Sequence, residues 1–248
     1  MATDKKVALI TGANKGLGLE TARQLGKEGI TVLIGARDAG RGNKAVEELR
    51  KDGVDAHFIY VDMEKPSTFH EVYKSIEKDY GKLDILVNNA GINAESGGGW
   101  GVNTVTKTSP ADIRKTFNTN FFNLVELTQI LLPLIQKAPA GRIVNLSSIL
   151  GSLELHANPD SPIYNSKGFA YDASKTALNQ FTVHLAHALK DTNVKVNSAH
   201  PGWVKTDLGT DSAPMNVVDG AKTSVWLATL PADGPNGGYF HMQDRLPW

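Results

Sequence analysis

The chain has 248 residues, 41% of them hydrophobic and 21% charged, which suits a sizeable core and argues against long disorder. Its 26 basic and 26 acidic residues cancel, so there is neither a basic footprint for nucleic acid nor a polybasic face for anionic membrane. Cysteine is absent, which excludes disulfides, thiolate nucleophiles and Cys-ligated metal centres; with only the short apolar stretch Val7–Ile10 near its start, a cytoplasmic protein with no membrane anchor is expected.

Val7–Ile10 reads as a buried strand, followed at once by Thr11-Gly-Ala-Asn-Lys-Gly-Leu-Gly18 and an amphipathic helix, Leu17–Glu28. Glycines at 12, 16 and 18 permit positive φ and let backbone N–H groups approach a pyrophosphate at the helix start. A purely structural turn is the alternative. The next strand, Thr31–Ile34, leads to Ala36-Arg37-Asp38. NAD-binding chains usually place an acid there for the ribose 2′-OH; here Ala36 stands about at that point and Arg37 follows. An arginine fork, with Lys15 as a second cation, suits a 2′-phosphate and predicts NADPH, while Asp38 leaves some NADH use open. Arg37 as an ordinary surface residue is the competing reading.

A helix over Arg41–Lys51, a strand over His57–Val61, a helix over Ser67–Tyr80 and a strand over Leu83–Val87 come next. A long segment, Ile92–Ser109, holds Ser96-Gly-Gly-Gly-Trp-Gly101 and precedes one long helix, Pro110–Gln136, with Pro133 placed to kink or tighten its end. Strand Arg142–Leu146 ends in Ser147 and Ser148, and an irregular stretch, Gly151–Ala170, leads to helix Tyr171–Lys190. Strand Val194–Ser198, helix Val217–Leu230 and a weak strand, Gly238–Phe240, complete the series. The alternation predicts an α/β fold: one doubly wound Rossmann-type domain spanning residues 1–248, with a mostly parallel seven-stranded sheet flanked by helices.

Tyr171 and Lys175 share one face near a helix start. A neighbouring ammonium should lower the phenol from its reference pKa of about 10. Tyr171 could then protonate an alkoxide formed by hydride attack on a carbonyl, with Ser148 donating to the same oxygen. The spacing alone more often marks an ordinary helical pair. Tyr164 has Gly168 where the lysine would be, and no Gly-x-Ser-x-Gly elbow surrounds Ser148. His184 and His187 lack a third ligand, so no metal is expected, and His200 reads as a structural hydrogen-bonding residue. Trp100, Leu155, Tyr164, Trp203 and Leu208 are candidates for an apolar substrate pocket or for ordinary packing.

Three further runs, Asn88-Asn-Ala-Gly91, Asn118-Thr-Asn-Phe121 and Pro201-Gly-Trp-Val-Lys-Thr-Asp207, complete a pattern covering nearly the whole chain that resembles the short-chain dehydrogenase/reductase family. The resemblance implies Tyr171 as acid/base, Lys175 as its tuner and a ribose ligand, Ser148 as carbonyl polariser and Asn120 as holder of a relay water. It implies a cofactor, NADP(H), bound by Gly12, Asn14, Lys15, Gly16, Leu17, Gly18 and Arg37. Asp62 would lie at the adenine, Asn89 at the ribose region, and Val204 and Thr206 at the nicotinamide, with Met63 and Pro201 also cofactor-binding. Asn14-Lys15, Ala36-Arg37-Asp38 and Pro201-Gly-Trp203-Val resemble NADPH-dependent carbonyl reductases, which implies reversible reduction of small-molecule ketones or aldehydes. A pathway-specific hydroxysteroid, terpenoid or sugar-alcohol dehydrogenase and a non-catalytic NADPH-sensing protein are the alternatives. Ser148 and Tyr171 are 23 apart, more than is usual in the family. Longer insertions here cover the assembly face of monomeric carbonyl reductases, which sets a limit on the homodimer or homotetramer otherwise expected.

Overall fold

In the computed structural model, which describes residues 5–95 and 105–248, eight strands form one sheet. They are β1 (Val7–Thr11), β2 (Thr31–Ala36), β3 (Ala56–Tyr60), β4 (Ile85–Asn88), β5 (Arg142–Leu146), β6 (Lys195–His200), β7 (Tyr239–His241) and β8 (Asp244–Arg245). Their order is β3-β2-β1-β4-β5-β6-β7-β8, parallel throughout except for the antiparallel β7–β8 pair. The seven expected strands are all present. The eighth is a correction: β8 returns through Met242-Gln243, with Met242 at φ 54°, and neither residue type signals such a turn.

Helices α1 (Gly16–Lys27), α2 (Ala39–Lys51) and α8 (Val217–Ala228) cover one face, where Ile10, Ile34, Val87 and Val144 meet Leu25, Leu49 and Leu227. Helices α3 (Phe69–Tyr80), α5 (Asn123–Gln136) and α7 (Phe169–Ala188) cover the other, with Leu9, Leu86 and Val196 against Phe69, Leu131 and Leu178. Successive strand residues point to opposite faces, so a two-sided sheet needs continuous apolar runs; β1 is buried at all five positions. Each buried Val, Leu or Ile side chain contributes about 1.5–3 kcal/mol by leaving water.

The long helix expected over Pro110–Gln136 is broken. Helix α4 (Pro110–Phe117) passes through a π-turn, Asn118–Phe122, before α5 begins, and the turn buries Thr119 and Asn120. Pro133 is accommodated inside α5, which stops at Gln136. The Gly151–Ala170 stretch is not wholly irregular: α6 (Leu153–Ala157) forms within it, capped by the Ser152 hydroxyl accepting from Leu155 N at 3.2 Å. The run at 96–101, including Trp100, lies outside the described residues.

A polar row crosses the sheet interior near its carboxyl edge. Asn88 Nδ2 donates to Asn145 Oδ1 at 2.9 Å, Asn145 Nδ2 to Thr182 Oγ1 at 2.9 Å, and Thr182 and Ser198 hydroxyls meet at 2.8 Å. Register makes this possible, because Asn88 pairs with Asn145 and Asn145 with Ser198 on adjacent parallel strands. Asn88 Oδ1 alone in this row lacks a partner; the other buried groups satisfy one another and fix strand register, just below the edge where the functional loops leave.

Candidate active site

Strand order reverses between β1 and β4, and a cleft opens there at the carboxyl ends, as doubly wound sheets dictate. Two adjoining cavities, of about 630 and 470 Å³, share Leu17, Asn89, Gly91, Leu146, Thr206 and Leu208 in their walls.

The larger cavity collects Gly12, Asn14, Lys15, Gly16, Leu17 and Gly18 from the turn after β1. Gly12 and Gly16 have φ of 66° and 57°, the left-handed region that side chains avoid. At Gly18 the requirement is space: a Cβ would lie 2.5 Å from Asn89 Nδ2 and 2.8 Å from Gly12 O. Asn89 closes the turn from behind, donating to Thr11 O at 2.7 Å and Gly12 O at 3.3 Å. Arg37, Asp62 and Met63 line the far end; buried Asp62 accepts from Glu64 N at 3.0 Å and Tyr60 Oη at 3.3 Å.

Cations gather at that end. Arg37 pairs with Glu64 at 3.2 Å, and Lys15 pairs with Asp207 across the cleft mouth. Arg41, expected only as the start of a helix, also lines the cavity, from the first turn of α2 just after Arg37. Asp38 is taken up as the N-cap of α2, accepting from Arg41 N at 2.8 Å, which holds its carboxyl below the usual range. A neutral Ala36, two arginines and a lysine fit a phosphorylated ribose. Among the described residues, the other carboxylates at that end, Asp62 and Glu64, follow β3 rather than β2.

The smaller cavity holds Ser148, Tyr171, Lys175, Pro201, Val204 and Thr206. Tyr171 and Lys175 are 6% and 4% exposed, on the first turns of α7. Lys175 Nζ donates to Leu146 O at 2.7 Å and lies 5.5 Å from the Tyr171 ring centre. Burial pulls its ammonium down to about 8. Burial also pushes the Tyr171 phenol well above its ordinary value; a hydrogen bond with Ser148 draws it back, and the Asp172 charge adds to the rise. This corrects the expected lowering by Lys175: in the folded chain desolvation of the tyrosinate outweighs every other influence.

Asn120 lines neither cavity and is fully buried. Its Oδ1 accepts from Ile92 N at 2.8 Å, while Nδ2 donates to Ile92 O at 2.8 Å and Ser174 Oγ at 3.0 Å. It therefore ties the segment after β4 to α7. A Cβ at Gly91 would stand 3.4 Å from both Asn120 Oδ1 and Lys175 Nζ, so both groups converge on that glycine.

Trp203 and Leu208 line the apolar part, as expected; Leu155 and Tyr164 do not, and Leu150, Pro162 and Ile163 stand there instead. Tyr164 turns away, under Lys167 Nζ at 5.0 Å. No helix among the described residues is long and apolar enough to cross a membrane, and among them no cluster of His, Cys, Asp or Glu is placed to hold a metal.

Proteins similar to this chain are known. Mouse carbonyl reductase (NADPH) 1 is 32% identical over all of both chains, and (+)-neomenthol dehydrogenase of Capsicum annuum is 30% identical over 98% of this chain and 97% of its own. The solved structure of carbonyl reductase Sniffer of D. melanogaster superposes with a TM-score of 0.83 at 29% identity, covering 98% of this chain and 100% of that one. The short chain dehydrogenase family model matches residues 6–216, a span containing both cavities from Gly12 to Gly209; the chain belongs to that family.

Proposed function

We propose that this chain is an NADP(H)-dependent carbonyl reductase that converts ketones or aldehydes to alcohols and runs in reverse when oxidised cofactor is abundant. The observation that carries the reading is the joining of two cavities, one rimmed by Lys15, Arg37 and Arg41, the other floored by Ser148, Tyr171 and Lys175. Bound NADPH supplies the hydride. Gly12, Asn14, Gly16, Leu17 and Gly18 would hold its pyrophosphate, Arg37, Arg41 and Lys15 its 2′-phosphate, and Asp62 and Met63 its adenine. Asn89 and Lys175 would lie at the ribose, with Pro201, Val204 and Thr206 at the nicotinamide.

Tyr171 Oη then donates its proton to the developing alkoxide, and Ser148 stabilises the same oxygen by a hydrogen bond. A phenol held high by burial is fully protonated at neutral pH, the form that reduction needs. Lys175, fixed on Leu146 O, presents positive charge as the phenol loses its proton. Asn120 Oδ1 has a second acceptor lone pair beyond its bond to Ile92 N, and it and Lys175 Nζ both approach Gly91, which supports the reading of Asn120 as holder of a relay water.

Loss of absorbance at the reduced-nicotinamide band, followed over a panel of ketones with NADPH and with NADH, tests this reading. Ketone-dependent NADPH consumption is expected; tight NADPH binding with no turnover of any carbonyl would favour a non-catalytic NADPH-binding protein. A panel also separates a broad reductase from a dehydrogenase restricted to steroid, terpenoid or sugar alcohols. Arg37→Ala should raise the KM for NADPH about tenfold, with little change for NADH, since a charged hydrogen bond contributes about 1.5–3 kcal/mol and Arg41 remains. Equal effects on both cofactors would remove Arg37 from the phosphate site.

A further inference from the structure

The apolar part of the cleft contains a donor that the chemistry above leaves idle. Strand β6 delivers His200 to the sheet edge beside β5, where Ser147 N donates to Ala199 O at 2.8 Å. His200 lines the smaller cavity. Ile149 N donates to His200 Nδ1 at 3.2 Å, so Nδ1 is an acceptor and the ring proton of the neutral imidazole sits on Nε2. Burial first, and then the His241 ring 5.0 Å away, pull His200 down to about 3, which keeps the imidazole neutral at working pH. His241 spends its own Nδ1–H on His200 O at 3.0 Å. Among the described residues nothing accepts from His200 Nε2, yet this nitrogen is not one of the buried polar atoms left without a partner. It is open, and the cavity is what the residue lines.

Most of the surrounding wall is hydrocarbon: Leu146, Ile149, Leu150, Ile163, Trp203 and Leu208. Ser147 and Ser166 add hydroxyls to the lining, and an uncommitted N–H in so largely apolar a wall discriminates strongly, because a ligand without an acceptor leaves it unpaired. Its place is close to the reaction centre, since Ile149, which fixes the ring, adjoins Ser148.

We propose that His200 is a specificity-determining residue: while the reacting carbonyl sits at Ser148 and Tyr171, Nε2–H binds a second acceptor oxygen of the same substrate, a few bonds away. The proposal rests on carbonyl reduction at Tyr171 and names the substrate class, ketones bearing an ester, acid or further carbonyl near the reacting group.

Ethyl acetoacetate and 2-heptanone make the test, being methyl ketones of equal chain length of which only the first has a second acceptor. His200→Asn keeps an acceptor for Ile149 N and removes the outer donor. His200→Gln reverses this, reaching an N–H to about the Nε2 position. For each protein the measured quantity is the ratio of kcat/KM for the keto ester to that for 2-heptanone, which does not depend on the folded fraction. The ratio should fall about tenfold in His200→Asn and stay within about threefold of wild type in His200→Gln. NADPH binding, followed by quenching of protein fluorescence, should change by less than about twofold. An unchanged ratio in His200→Asn overturns the proposal, as does a loss that tracks weakened NADPH binding, which would assign Nε2–H to the cofactor. A wild-type protein that consumes NADPH with neither ketone, nor with any of the wider panel, removes the carbonyl-reductase reading itself and the proposal with it.

Discussion

Tyr171→Phe should lower kcat for ketone reduction by about 10²–10⁴-fold while leaving NADPH affinity within about twofold. The substitution removes one oxygen and keeps a ring that is only 6% exposed, so packing on α7 survives. What disappears is the proton delivered to the alkoxide and the phenol's bond with Ser148. Ser148 would still polarise the carbonyl, which is why residual turnover above the uncatalysed rate is expected rather than none. Ser148→Ala should cost about 10²–10³-fold, the loss of one oxyanion donor, with Tyr171 remaining to deliver the proton. Single-turnover measurements with saturating NADPH separate the chemical step from cofactor release. A Tyr171→Phe enzyme that keeps more than a tenth of the wild-type rate of that step would show that the proton comes from elsewhere.

The glycine turn, the Tyr171–Lys175 pair and the seven parallel strands were legible because each depends on local chemistry: positive φ, helical spacing, or a short apolar run. The direction of the Tyr171 shift was not. A sequence displays the neighbouring lysine but not the degree of burial, and burial dominates here. The π-turn was hidden for a related reason. Apolar residues continue through Phe117, Phe121 and Phe122, whose rings pack at 5.4–6.3 Å, so periodicity ran on while the backbone inserted a residue to bury Asn120. Asp38 could be read as a ribose ligand because capping depends on where α2 starts, and the helix begins two residues before the predicted Arg41. The open nitrogen of His200 was beyond reach, since it follows from a bond to Ile149 that spans two strands' ends.

The largest effect on stability is expected at the other end of the sheet. Arg142 opens β5 at 4% exposure, an unusual place for a guanidinium, and it makes no salt bridge among the described residues. Carbonyl oxygens take the place of a carboxylate. Nε and Nη2 donate to Leu230 O at 3.0 and 2.7 Å, Nη2 also to Pro231 O at 3.1 Å, and Nη1 to Gly141 O at 2.8 Å and Asn193 O at 3.3 Å. Leu230 and Pro231 follow the end of α8, where carbonyls point outward and positive charge is favoured. The planar fork joins three chain segments that hydrophobic packing alone would leave with unsatisfied acceptors. Arg142→Met fills similar volume but strands those oxygens, and should destabilise the fold by about 3 kcal/mol. For a chain of this size that corresponds to a fall in melting temperature of about 6–12 °C. Arg142→Lys, with a point charge in place of a fork, should fall between. Because β5 separates Arg142 from Ser148 by about 20 Å of extended chain, turnover per folded molecule at low temperature should stay near wild type. A melting temperature within about 2 °C of wild type in Arg142→Met would mean that water or backbone adjustment satisfies the carbonyls as well as the arginine does.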